Sequence, residues 1–339
     1  MTSSPITYSV FIGEEKDGET RAMRCPDIGE NPLRDTNEFG TKTTWDGLKN
    51  TVFNKKMADR KFIGTRHINE DGSLGDRYDW KTFKEIYDIS LSFGKGLEVL
   101  GLCPEIDIPN EGKFKFIGIY SKNREEWVIT DFGGHCNSVT TIPVYDTLGE
   151  IAMEHIFNLT KLSTISLEGK CLKKIVDLAQ KGKTGNVKNL ILMDPKDDPE
   201  NQAKLKELGF ALYTMNDIIE KGKTDGKDLV MKEPTPETIA IICFTSGTTG
   251  TPKGAMITHN NIMCEVSIIT SKGFNFSPDD IYLSFLPLAH VMERLIVSVC
   301  FSFGIAVGFF SGNPRNVIDD AKTLKPTCMC SVPKIFLRI

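Results

Sequence analysis

Between residues 113 and 221 short apolar runs alternate with amphipathic stretches, and no other feature of the chain restricts its fold as much. Residues 113–120, 139–144, 163–166, 189–193 and 211–213 read as strands. Helices are expected between them: one running to His135 with Ser121 or Asn123 as N-cap, one starting at 148–150, and others over 169–181, 199–208 and 215–221. Alternation at this spacing predicts layered, largely parallel α/β sheets flanked by helices. Ligands of such sheets bind beyond the C-terminal ends of the strands. Upstream, an amphipathic helix is expected over 78–101, and the turn-rich first 44 residues read as an arm with one strand at 8–12. Residues 221–236, charged and broken by glycine and proline, read as an exposed linker.

Downstream of that linker an apolar run, 239–244, feeds Thr245-Ser246-Gly247-Thr248-Thr249-Gly250-Thr251-Pro252-Lys253-Gly254, and a second apolar patch follows at 255–257. Glycines let a backbone approach a ligand closely and turn its N–H groups inward. Hydroxyls add donors for phosphate oxygens, and Lys253 adds a mobile positive charge. The segment suits a triphosphate or its pyrophosphate product. It is not the signature of a P-loop NTPase, which needs Gly-Lys-Ser/Thr opening a helix, whereas Gly250 is followed here by Thr251, Pro252, Lys253 and Gly254. Pro252 and Gly254 also oppose a helix start.

The segment resembles the phosphate-binding signature of the adenylate-forming superfamily of acyl-CoA synthetases, with Phe244 where members usually carry Tyr. Leu286-Pro287-Leu288-Ala289-His290-Val291-Met292-Glu293-Arg294 resembles the Leu-Pro-Leu-Ala-His-x-x-Glu-Arg motif of long-chain fatty acyl-CoA synthetases. Asn123-Arg124-Glu125-Glu126-Trp127, Tyr145-Asp146-Thr147-Leu148-Gly149 and Tyr78-Asp79-Trp80 are weaker matches in the same order. The resemblance starts near Trp45, which gives an arm of 1–44 and an AMP-binding domain of 45–339. It implies the N-terminal part of an adenylate-forming large domain, with the C-terminal part and the small lid domain absent. The family's later Tyr-Gly-x-Thr-Glu and Thr-Gly-Asp blocks and its C-terminal catalytic lysine are not found, and whole members run much longer. The fragment alone is expected to turn over negligibly.

The implied reaction has two steps: a carboxylate attacks the α-phosphorus of ATP to give acyl-AMP and pyrophosphate, and coenzyme A then displaces AMP. The resemblance assigns Thr245, Ser246, Gly247, Thr248, Thr249 and Gly250 to a phosphate cradle and Lys253 to the loop or the pyrophosphate. It gives the Thr248 hydroxyl to the Mg²⁺ shell. His290 is expected beside the reacting carboxylate, positioning or gating the mouth of an acyl pocket. Glu293 and Arg294 lie at i+3 and i+4 from it, open to a mutual ion pair, a domain-crossing pair or ligand contact. Trp127 and Tyr145 read as core or interface residues, and Asn123 and Asp146 as helix caps. The adenine-, ribose- and coenzyme A-binding residues are expected outside this sequence. Two other readings stand beside the long-chain ligase: another adenylate former of aryl-CoA or peptide-synthetase type, and a truncated non-catalytic lipid- or nucleotide-binding protein.

Composition bears on partners. Net charge is −4, from 41 Lys+Arg against 45 Asp+Glu, with no basic-aromatic stripe, so nucleic acid is not an expected partner. Nine cysteines without CxxC or zinc spacing read as buried thiols of a reducing, cytoplasmic setting. Residues 295–312 carry no charge and are just long enough to cross a bilayer, but read better as a buried helix and strand broken near 302–304. Peripheral contact with the cytosolic face of an organelle membrane stays open, because a fatty acid substrate would be drawn from a bilayer.

Overall fold

A computed structural model of the chain describes residues 8–26, 29, 36, 40–145, 148–245, 252–271 and 275–336. Contacts divide it into two units, Met1–Asp35 and Thr36–Ile339. In the first, β1 (Val10–Ile12) pairs antiparallel with β2 (Ala22–Arg24). The strand read over 8–12 therefore begins at Val10.

The second unit opens with α1 (Thr44–Lys49), β3 (Lys61–Ile68), β4 (Leu74–Thr82), α2 (Phe83–Val99), β5 (Glu105–Ile108) and β6 (Gly112–Tyr120). It continues through α3 (Glu125–His135), β7 (Val139–Pro143), α4 (Glu150–Thr160), β8 (Thr164–Leu167), α5 (Leu172–Gln180), β9 (Asn189–Leu192) and α6 (Pro199–Glu207). Next come β10 (Ala211–Thr214), α7 (Met215–Thr224), β11 (Ile239–Thr245), β12 (Lys253–Thr258) and α8 (His259–Ser271). Last are β13 (Ile281–Ser284), α9 (Val291–Phe303), β14 (Ala306–Phe309), α10 (Val317–Leu324) and α11 (Pro333–Phe336).

Among the described residues these strands form two larger sheets. The eight-stranded one runs β10-β9-β8-β6-β7-β11-β12, with β5 beside β6; all its pairings are parallel except those of β5 and β12. The four-stranded one runs β13-β14-β3-β4, antiparallel only between β3 and β4. The largely parallel α/β architecture expected from the alternation is present. One core cluster joins Trp45, Phe62, Phe83, Phe93, Ile117, Trp127, Phe132, Tyr282 and Phe301, from both sheets and the helices α1, α2, α3 and α9. A second joins α4 and α5, through Met153, Phe157, Ile175 and Leu178, to Ile165, Leu167 and Leu190 of β8 and β9.

Two expectations are corrected. The helix read over 78–101 starts only at Phe83, because residues 78–82 belong to β4. A capping box fixes the start: Glu85 N–H donates to Thr82 Oγ1 at 3.2 Å, and Thr82 N–H to Glu85 Oε2 at 2.7 Å. No strand was expected at β3, whose middle is buried on both faces and so lacks an alternating signature. The uncharged stretch 295–312 is a helix, a turn and a strand. Gly304 takes φ +75° at the C-cap of α9, a conformation glycine adopts without strain, and β14 follows. Among the described residues no helix is long and apolar enough to cross a membrane. None of the nine cysteines is in a disulfide; Cys103, Cys136, Cys171, Cys243 and Cys300 are buried as expected, whereas Cys25, Cys264, Cys328 and Cys330 are partly exposed, which corrects the reading of all nine as buried.

Candidate active site

β11 is a run of β-branched and aromatic residues buried along most of its length, as a central parallel strand must be. It reverses into β12, the edge of the sheet, so that Thr245 stands directly opposite Lys253. The two ends of the hydroxyl-rich segment thus meet across one hairpin, both exposed. Lys253 makes no ion pair with a described residue. Behind them Gly254 pairs with Phe244, and a Cβ there would come within 2.7 Å of Ile242 Cγ2 and 3.2 Å of the Phe244 ring. That contact explains the glycine and gives the Phe244 ring an apolar role that needs no hydroxyl. Ser246, Gly247, Thr248, Thr249 and Gly250 lie outside the described residues, as does Asp146.

β7 runs parallel to β11, with Ile241 opposite Thr141, so both chains leave the sheet at the same edge. Tyr145, just beyond β7, donates its hydroxyl to the Ala289 carbonyl at 2.5 Å, and burial pushes the phenol up to about 12. The turn before α9 is therefore hung from that edge. Asn123 holds it from the other side: its Nδ2 donates to the Leu286 carbonyl at 2.6 Å, and Leu288 N–H donates to its Oδ1 at 2.8 Å. Asn123 is not the cap expected from the sequence, because α3 has Arg124 at that position with no side-chain capping bond. The expectation for Tyr145 changes likewise, from packing residue to hydrogen-bonding strut.

His290 is the N-cap of α9, exposed, its Nδ1 accepting from Met292 N–H at 3.4 Å. At the start of α9, Val291 and Leu295 pack against the cluster of Ala240, Ile241 and Cys243 of β11 with Ile262 of α8. Through Tyr145 the turn carrying His290 stands at the edge where β7 and β11 end, the C-terminal edge at which an α/β protein places its ligand. Glu293 and Arg294 do not pair with each other. Glu293 is fully buried and accepts from Tyr282 Oη at 2.7 Å and Ser284 Oγ at 2.5 Å. Arg294 Nη2 reaches both Asp131 oxygens, at 2.9 and 3.0 Å, and its guanidinium lies 4.9 Å from the Trp127 ring centroid. This pair crosses from α9 to α3. Trp127 is core, as expected.

Sequence reading missed what lies behind that pair. Asp131 also accepts from Thr141 Oγ1 at 2.7 Å and sits 3.4 Å from His135 Nε2. The Thr44 hydroxyl lies 2.9 Å from Nδ1 of both His135 and His259, and burial pushes both imidazoles below their ordinary range. One signal was available: Asp131 is an acid in a helix buried nearly all round, and a buried charge demands a partner. The partners themselves were not readable, since Thr44 is 91 residues from His135 and 215 from His259.

Residues 55–339 match the family model described as AMP-binding enzyme. The chain is 32% identical over 335 residues to fatty acyl-CoA synthetase B of Dictyostelium discoideum, covering 99% of this chain and 47% of that protein. It is 36% identical over 266 residues to long-chain-fatty-acid–CoA ligase 5 of Rattus norvegicus, 77% of this chain and 38% of that one. Its fold is similar to the adenylation domain of a carboxylate reductase from Mycobacterium chelonae (TM-score 0.70, 18% identity, 89% of this chain and 47% of that one). It is also similar to a long-chain-fatty-acid–CoA ligase from Archaeoglobus fulgidus (TM-score 0.65, 16% identity, 88% and 53%). The chain spans about half the length of the first of these relatives or less. On the family match and the fold, the chain belongs to the AMP-binding enzymes.

Proposed function

We propose that the protein acts in ATP-dependent activation of a long-chain fatty acid to acyl-AMP and then acyl-CoA. One observation carries the reading: the exposed Thr245–Lys253 hairpin end and the His290 turn stand at one sheet edge, and the names of the sequence relatives supply the substrate class. In this reading Thr245, Ser246, Gly247, Thr248, Thr249 and Gly250 direct hydroxyls and backbone N–H groups at the triphosphate. Lys253 offsets charge on the departing pyrophosphate, and His290 orients the carboxylate. Among the described residues no group of three His, Cys, Asp or Glu side chains could hold a metal. In the same reading Mg²⁺ accompanies the nucleotide phosphates and the Thr248 hydroxyl, its usual mode of binding, and no step is assigned to it. Coenzyme A is the proposed second substrate. The division into an arm of 1–44 and a domain of 45–339 belongs to the same proposal, as does a cytoplasmic setting, which nine cysteines outside any disulfide support.

The blocks expected to hold adenine and ribose are not among the 339 residues. A coupled pyrophosphate-release assay with ATP, Mg²⁺ and fatty acids of graded length is expected to show negligible turnover by these residues alone. The product of the complete open reading frame should turn over long-chain acids. Robust turnover by the 339-residue chain, or a preference for aryl acids, would contradict the reading.

A further inference from the structure

We propose that Asn123 is a positioning residue of the reaction: its one carboxamide, reaching over from the end of β6, fixes the turn that carries His290, and it acts through that histidine. The structural part stands on geometry alone, and its consequence for catalysis rests on the ligase reading. The turn lies between Ser284, the last residue of β13, and Val291, the first of α9. No strand or helix supplies partners there, yet Leu288 is only 2% exposed and Ala289 5%, so its backbone groups need partners from elsewhere. One contact is internal: His290 N–H donates to the Pro287 carbonyl at 2.8 Å. The other fixed points come from the eight-stranded sheet. Asn123 Nδ2 donates to the Leu286 carbonyl at 2.6 Å, Leu288 N–H donates to Asn123 Oδ1 at 2.8 Å, and the Tyr145 hydroxyl donates to the Ala289 carbonyl at 2.5 Å. The second Nδ2 hydrogen goes to Ser284 Oγ at 3.0 Å, so one side chain, itself only 6% exposed, spans the end of β13 and the turn after it.

The chemistry of the position selects a carboxamide. A backbone N–H can only donate and a carbonyl can only accept, so the group between Leu286 and Leu288 must offer a donor and an acceptor from one short planar end. An ionised aspartate would keep the acceptor but set an oxygen against the Leu286 carbonyl, and alanine would leave both backbone groups without this partner. The same stretch of chain grips α9 again one turn on. Arg294 follows His290 by four residues, its guanidinium lies 4.9 Å from the Trp127 ring centroid, and its Nη2 donates to Asp131. Residues 123–131 therefore hold residues 286–294 at both ends, and the two motifs that contain Asn123 and His290 form one unit. The joint between the sheets does not hang on Asn123 alone, because Lys122 separately donates to the Gly312 carbonyl beyond β14. What Asn123 adds is the place of the turn.

Two measurements test this. In the 339-residue chain, hydrogen exchange of the Leu288 amide followed by NMR should speed up about tenfold in Asn123→Ala, which removes its acceptor. Exchange at Leu288 that ignores Asn123→Ala overturns the clamp. In the product of the complete open reading frame, with ATP, Mg²⁺ and a saturated long-chain fatty acid, Asn123→Ala should lower kcat for pyrophosphate release roughly 10- to 100-fold and leave KM for ATP little changed. Asn123→Asp, which keeps the shape and loses both donors when ionised, is the second variant should the first not fold, and the same loss is expected of it. In a His290→Ala background either substitution should cost no more than about twofold further, because its effect is already spent. The full loss repeated in that background, or wild-type turnover in His290→Ala, overturns the route through His290. A wild-type protein that releases no pyrophosphate instead refutes the ligase reading, and exchange at Leu288 still decides the clamp.

Discussion

Replacing Asp131 by Ala should lower the stability of the chain by about 3–5 kcal/mol, the usual cost of stranding one member of a buried ion pair. The Arg294 side chain is only 6% exposed and Asp131 13%, so water cannot take over the lost contacts. The guanidinium already has one buried nitrogen, Nη1, without a hydrogen-bond partner, and Asp131→Ala would leave Nη2 bare as well. Thr141 would lose the acceptor of its hydroxyl too. The asymmetry of buried pairs gives an internal control: Asp131→Leu combined with Arg294→Met should cost less than Asp131→Ala alone, because no charge is left behind. Urea midpoints of the three variants decide this. A loss below about 1 kcal/mol for Asp131→Ala would place the pair in the class of exposed bridges.

The largest kinetic effect is expected at Lys253. Lys253→Ala in the product of the complete open reading frame should lower turnover roughly 100-fold, the scale on which losing one preorganised charge or donor slows a transition state. Its stability should move by no more than about 0.5 kcal/mol, because substitutions at exposed positions away from caps and buried networks seldom do more. Lys253 is exposed and pairs with no described acid. The split between a large kinetic and a small thermal effect separates a phosphate ligand from a lysine that merely secures a hairpin. Undiminished turnover in Lys253→Ala would remove it from the site.

Much of this architecture could be read from residue order. The alternation from 113 to 221 located β6 to β10 and the helices between them, since buried parallel strands and amphipathic helices leave distinct periods. The uncharged stretch 295–312 resolved at Gly304, as its glycine suggested. Long-range pairing escaped. β3 is buried at its middle and lies between a sequence-adjacent strand and β14, far along the chain, so nothing local marks it. The site divides in the same way. Motif spacing pointed to Thr245, Lys253 and His290, but not to what holds them. Asn123 looks like a helix cap because such residues usually are caps; only the fold shows that its amide meets the 286–288 backbone instead. Glu293 and Arg294 invite pairing on sequence, yet neighbouring residues on a helix point about 100° apart, and each finds its partner on a different element.

In the proposed function the hairpin ending at Thr245 and Lys253 grips the phosphates of ATP. Amide hydrogen exchange over residues 245–253 of the product of the complete open reading frame, with and without saturating Mg·ATP, tests it most directly. ATP should slow exchange in this loop, and Lys253→Ala should weaken the protection. Bound ATP that protects other segments while leaving this loop unchanged would contradict it.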